Sequence, residues 1–195
     1  MNIVRHDPHP MTAEEFFAFT EMRPEDGKWE LIDGEPVLNP SPTRLHQRIL
    51  GNLLSTLKIL ERSQRRGGRL PWEVLPGIGV RISNTDALVP DFLIRPFDDF
   101  TGVECDDMIA AFEVLSPSTA DHDLRWKRQA YATLASLQHY VVVAQDAAEV
   151  VVFDRQRGFA ERRLEGLGAT LDLPMLNIAL PLAEIYRDTG LERKP

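Results

Sequence analysis

The sequence predicts an α/β or α+β fold, a mixed β-sheet sandwiched by helices, and three observations predict it. Apolar runs rich in Val, Ile and Phe recur as LVPDFLI, IAAFEVL, HYVVVA and EVVVFD, each bounded by turn signals. A long amphipathic stretch from Ser41 to about Arg62 has apolar residues at helical spacing. Helical segments lie between and after the strands rather than in a separate block.

Residues 1 to 11 read as a lightly packed arm, residues 12 to 190 as one domain, and residues 191 to 195 as a tail. Thr12 and Glu15 form a capping-box pattern that opens a short helix carrying Phe16, Phe17 and Phe19. KWELIDGEPVLN reads as two strands joined at Asp33-Gly34, a hairpin turn signal. Ser41-Pro42 fits a helix start, and Leu45, Ile49, Leu53, Leu57 and Leu60 form its apolar stripe, widened by Leu50 and Leu54. LPWEVL and GIGVRI read as strands separated at Pro76-Gly77, followed by the loop SNTDA. LVPDFLI and IAAFEVL supply two more strands, and Thr119 or Asp121 caps a helix through about Ala135. HYVVVA and EVVVFD flank a short acidic turn; a strand near FAERRLE and a helix in PLAEIYR close the chain.

The 195 residues are enough to bury a sizeable core, and 43% hydrophobic with 27% charged residues is a globular composition rather than a disordered one. The single cysteine, Cys105, excludes a disulfide within the chain and makes a cytosolic, cytoplasmic setting the default expectation. No apolar run is long enough to span a bilayer, and the opening MNIVRHDPHP lacks the apolar centre of a signal peptide. The net charge of -8 argues against indiscriminate coating of nucleic acid. It leaves room for a nucleic-acid enzyme, because a carboxylate cluster adds negative charge that a divalent cation then offsets.

MIAAFEVLSPST places one acid, Glu113, inside an otherwise apolar strand. Strand alternation puts Glu113 on one face with Ala111 and Leu115, and Asp91 on one face with Val89 and Leu93. Burying an unpaired carboxylate costs several kcal/mol or forces it to stay protonated. A shared hard cation such as Mg2+ removes that cost, activates water and neutralises charge at a phosphoryl group. The bland reading of either acid alone is a salt bridge to an arginine or an exposed strand end.

Pro90-Asp91, Glu113 in FEVLSPST, and Lys127 and Tyr131 in DHDLRWKRQAY together resemble the PD-(D/E)XK nuclease superfamily, and more narrowly its Uma-type bacterial restriction-endonuclease branch. The resemblance spans most of the chain, from MTAEEF and WELIDGE through SPTRLHQRIL to the strand pair at Tyr140 to Phe153. It implies a restriction endonuclease-like fold and Mg2+-dependent hydrolysis of phosphodiester bonds, with Mn2+ as a substitute ion. Asp91 and Glu113 would bind the metal. The superfamily's lysine usually follows the acid by two residues, where this chain has Leu115; the branch moves that lysine to the next helix, and Lys127 fits. Glu30 would join the metal site or position water.

Tyr131 and Asp123 lie four residues either side of Lys127, on its helical face. His46 recurs at the matching place in the family and reads either as a phosphate or site-lining group or as a satisfied helix-edge histidine. Arg62, Arg65, Arg66 and Arg69 read either as a phosphate-binding loop or as a solvated helix end, and Arg125 and Arg128 as a basic rim beside Lys127. Ser116, Ser118 and Thr119 turn the chain; His6, His9, His122 and His139 show no zinc spacing.

Two classes of function follow. One is a nuclease acting on nucleic acid, with DNA expected, using Asp91, Glu113, Lys127 and Glu30. The other is a non-catalytic binding or assembly module on the same fold. A homodimer suits cleavage of both strands of a duplex, with the strand near VVVF or the long helix as its interface.

Overall fold

In the computed structural model, residues 9–23, 27–65, 71–99, 101–115 and 120–191 are described, with side chains of 120–124 excepted. Thr12 caps α1 (Ala13–Glu21) through the capping box. The hairpin β1 (Trp29–Ile32) and β2 (Glu35–Leu38) turns at Asp33-Gly34, where φ is 50° and 78°. Positive φ at both positions makes the primed turn that matches strand twist, which is why Asp-Gly stands there. A Cβ on Gly34 would lie 2.4 Å from Pro10 Cβ, so the turn also needs glycine for the chain to pass over it.

The long helix α2 (Arg44–Ser63) begins two residues later than Ser41-Pro42 predicts. Thr43 is the cap: its hydroxyl oxygen accepts from His46 N–H at 3.1 Å and also donates to Gln145 Oε1 at 2.9 Å. Ile49, Leu53 and Leu57 form the fully buried stripe. Next come β3 (Trp72–Pro76), β4 (Gly79–Arg81), β5 (Ala87–Leu88), β6 (Phe92–Pro96), β7 (Glu104–Cys105) and β8 (Ala110–Leu115). The helix α3 (Ala120–Ala132) contains Asp121 rather than being capped by it, and Thr119 lies outside the described residues. The chain ends with β9 (His139–Ala144), β10 (Glu149–Asp154), β11 (Glu161–Glu165), β12 (Thr170–Leu173), β13 (Ile178–Pro181) and α4 (Leu182–Ile185).

Six strands form the central sheet in the order β11-β10-β9-β8-β6-β3. It is mixed: β8 and β9 run parallel across the α3 crossover, and the other pairs are antiparallel. One face carries Val74, Phe92, Ile94, Phe112, Val114, Val141 and Val152, packed with the α2 stripe and with β12, β13 and α4. The opposite face carries Leu93, Ala111, Tyr140, Val142, Val151 and Phe153, packed with Tyr131 of α3 and Val80 and Leu88. A five-stranded sheet in the order β2-β1-β5-β4-β7 brings the N-terminal hairpin to this second side.

The strand near VVVF is not an edge. β10 is paired on both sides and Val150, Val151, Val152 and Phe153 are buried, so it cannot serve as an exposed interface. The β12–β13 hairpin and the short β7 are additions to the sequence-based reading. No helix among the described residues is long and apolar enough to cross a membrane.

Candidate active site

Asp91 and Glu113 meet because of register. β6 pairs β8 with Phe92 opposite Phe112, and one further step sets Asp91 opposite Glu113. Both are odd-numbered on their strands, as are Leu93 and Ala111, so both point to the α3 side. Asp91 Oδ2 accepts from Val114 N–H at 2.8 Å, which fixes the carboxylate across the strand pair.

The helix α3 then delivers Lys127. Its ammonium donates to Glu113 Oε1 and to Glu30 Oε1, both at 2.9 Å. Tyr131, one turn later, donates to Glu113 Oε1 at 3.3 Å. The side chains of Glu30 and Glu113 are 2% exposed and that of Lys127 10%. Leu115, where the common motif would place its lysine, is half-buried in the α3-side core instead.

Glu30 comes from β1. It accepts from Asn39 Nδ2 at 3.0 Å and from Val89 N–H at 3.1 Å, so three donors, Lys127 included, fix its carboxylate. At the N-terminus of α2, His46 Nε2 stands 3.4 Å from Asp91 Oδ2. The last member is Lys28. Its Nζ donates to Asp91 Oδ1 at 3.0 Å and lies 3.7 Å from Glu113 Oε2, with its side chain 30% exposed.

The ionisations follow from burial set against these charges. Burial acts to raise Asp91, but His46, Lys28 and the Val114 N–H hold it well below the usual carboxylate range. Glu30 is also held low: Lys127, Lys28 and the Asn39 amide outweigh its burial. Glu113 goes the other way. Its complete burial, with repulsion from Asp91 and Glu30 added, outweighs Lys127 and Lys28 and raises it. Lys127 is raised, because Glu113 and Glu30 more than offset the burial that disfavours its charge. Burial beside Glu113 pushes the Tyr131 hydroxyl far up, so it is a donor at any working pH.

Of the residues singled out in the sequence, Glu30, His46, Asp91, Glu113, Lys127 and Tyr131 converge here. Arg62 and Arg65 do not. Arg62 follows His46 by sixteen residues on one straight helix, about 24 Å along its axis, so that basic cluster belongs to the far end of the molecule. Arg66 and Arg69 lie outside the described residues, as does the Asp123 side chain. Arg125 is exposed on α3, and the Arg128 guanidinium stacks 5.2 Å from the centroid of the Phe153 ring. His139 is committed to Asp154 at 2.7 Å. Sequence reading missed Lys28 and Asn39. The sequence held only a partial signal, the alternation that places residues 28 and 30 on one face; the structure extends the hairpin to Lys28, whose C=O accepts from Asn39 N–H at 2.8 Å.

The donor set suits a hard divalent ion. Asp91 and Glu113 offer two carboxylates from adjoining strands, and an ammonium already stands against both, so the space between them attracts a cation. Among the described residues no group of three or more His, Cys, Asp or Glu is placed to hold a metal ion, so the protein would offer these two carboxylates alone. One or two carboxylates plus waters is the arrangement Mg2+ favours.

The sequence profile of the Uma2 family, described as "Putative restriction endonuclease", matches residues 13–183. The chain belongs to the Uma2 family. Its fold is similar to the solved structure of a "putative nuclease belonging to DUF820" from Anabaena variabilis ATCC 29413, with a TM-score of 0.74 over 91% of this chain and 98% of that one. The two are 16% identical, so the likeness is one of fold. No curated protein matches the chain. In this Uma2 protein every converging side chain lies within the matched segment.

Proposed function

We propose that this Uma2 protein is a Mg2+-dependent nuclease that hydrolyses phosphodiester bonds of DNA, with Asp91 and Glu113 as metal ligands and Lys127 as the catalytic lysine carried on a helix. The supporting observation is the Lys127 ammonium, 2.9 Å from both Glu30 and Glu113, brought by α3 to the acid that its strand leaves without a lysine. The family's description and the nuclease fold of its structural neighbour agree with that chemistry.

A bound divalent ion supplies Lewis acidity to the phosphoryl group and lowers the pKa of coordinated water. The remaining work falls to the chain. Lys127, held between two carboxylates, orients the attacking water and holds charge developing on the phosphate. Glu30, kept ionised, fixes the Lys127 ammonium and through it the position of the attacking water. Tyr131 locks the rotamer of Glu113, and Val114 N–H locks Asp91. His46, in the first turn of α2 and 3.4 Å from Asp91 Oδ2, would meet a phosphate bound beside that acid. We propose that two copies pair so that both strands of a duplex are cut, in a bacterial cytoplasm.

One observation favours the non-catalytic module. Lys28 and Lys127 already give each acid an ammonium partner, so the cluster is a stable salt-bridge network without an ion. Incubating the full chain with supercoiled DNA in Mg2+ or Mn2+, against EDTA, separates the two. The nuclease reading expects nicked circles only with metal. Absence of metal-dependent nicking on DNA and RNA alike leaves the module.

A further inference from the structure

We propose that the Lys28 ammonium holds the place of the divalent ion between Asp91 and Glu113, and that metal binding requires it to swing out. This inference rests on the metal-dependent reading above and adds a competitor inside the site.

The geometry sets the two cations in competition. Lys28 Nζ is 3.0 Å from Asp91 Oδ1 and 3.7 Å from Glu113 Oε2, so it contacts both carboxylates from opposed strands. Magnesium binds carboxylate oxygen at about 2.1 Å, so an ion on Asp91 Oδ1 would lie no more than about 5 Å from Nζ, whichever side it took. Two positive centres that close, in a site shielded from water, repel strongly. Lys127 cannot be the one that leaves. Its ammonium is fixed by two carboxylates, its side chain is 10% exposed, and it sits on Glu113 Oε1, the oxygen remote from Lys28. Lys28 has the room: its side chain is 30% exposed, and it stands at the end of β1 rather than inside it.

The consequence is a site that keeps its acids compensated before the metal arrives. The ion then trades places with an ammonium that moves to the rim, where a phosphate backbone offers it a new partner. Lys28 thus tunes metal affinity against nucleic-acid contact.

Calorimetric titration of the full chain with Mn2+ tests the exchange in three forms: wild type, Lys28→Gln and Lys28→Arg. Lys28→Gln, which removes the charge, should bind Mn2+ at least about tenfold more tightly than wild type, and Lys28→Arg should not. Acetylation of the wild type, followed site by site in the mass spectrum, gives a second readout that needs no variant. Saturating Mn2+ should speed labelling of Lys28 while Lys127 stays protected. Equal or weaker Mn2+ binding by Lys28→Gln, or unchanged Lys28 labelling, overturns the exchange and leaves the metal site standing. Failure of every form to bind Mn2+ overturns the metal site itself, and the exchange with it.

Discussion

Lys127→Met is expected to destabilise the fold by about 3–5 kcal/mol near neutral pH, the usual cost of stripping one partner from a buried ion pair. The side chain it removes serves two acids at once, Glu30 and Glu113, each 2% exposed. Lys28 lies 3.7 Å from Glu113 Oε2 and donates to Asp91, so it does not replace Lys127 at Glu113 Oε1. Methionine fills much of the space, which isolates the charge effect from a cavity effect. The sign of the pH dependence follows. Without Lys127 the folded state raises both carboxyl groups above their unfolded values, because each loses a cation named among the causes that now lower it. The folded variant then binds more protons than the unfolded chain, so its stability falls as pH rises. Urea unfolding of both proteins in EDTA should show a deficit that is larger at pH 8 than at pH 5. Equal stability of variant and wild type at pH 8 would mean that Lys127 is an ordinary solvated lysine.

Glu113→Gln should do nearly the reverse: little loss of fold and a large loss of catalysis. Glutamine is isosteric, and its oxygen can still accept from Lys127 and Tyr131, which both address Oε1. Burial already disfavours the charge on Glu113, so a neutral side chain relieves a desolvation cost even as it weakens two ion pairs. What is lost is an anionic ligand. Lewis-acid stabilisation is worth several kcal/mol, so nicking should drop by about 10³-fold or more while the melting temperature moves by only a few degrees. A variant that nicks DNA at the wild-type rate would remove Glu113 from the reaction.

Part of the site was legible from short-range periodicity, whereas Lys127 and Glu30 were singled out by the resemblance to the Uma-type branch. Alternation by two grouped Asp91 with Val89 and Leu93 and Glu113 with Ala111 and Leu115, and a spacing of four put Lys127 and Tyr131 on one side of α3. Both patterns survive without knowledge of the partner strand. β6 and β8 pair across an excursion that includes β7 of the other sheet, and their antiparallel register brings the two acids together. Lys28 was harder to see. Its meaning depends on β1 joining β5 in a second sheet, through the Leu31 to Ala87 pairing, and local propensity carries no trace of a contact between chain segments that far apart.

The arginine cluster illustrates the opposite failure. Arg62 and Arg65 stand out by composition, yet rigidity of a 20-residue helix carries them away from His46. The helix start shifted from Ser41 to Thr43 because tertiary context chose among adjacent capping residues, and Thr43 also reaches Gln145. The β12–β13 hairpin had a period-two signal in Leu171, Leu173, Ile178 and Leu180, hidden by the Pro174 to Leu176 turn that divides it.

The central claim is that the carboxylates of Asp91 and Glu113 share one hard cation. Anomalous diffraction from a crystal of the full chain soaked in Mn2+ addresses it directly. The account predicts one peak between the two side chains, about 2.1 Å from an oxygen of each, with Lys28 turned away. A map with no peak there would contradict it, whereas a peak beside a Lys28 that still bridges both acids would overturn the exchange alone.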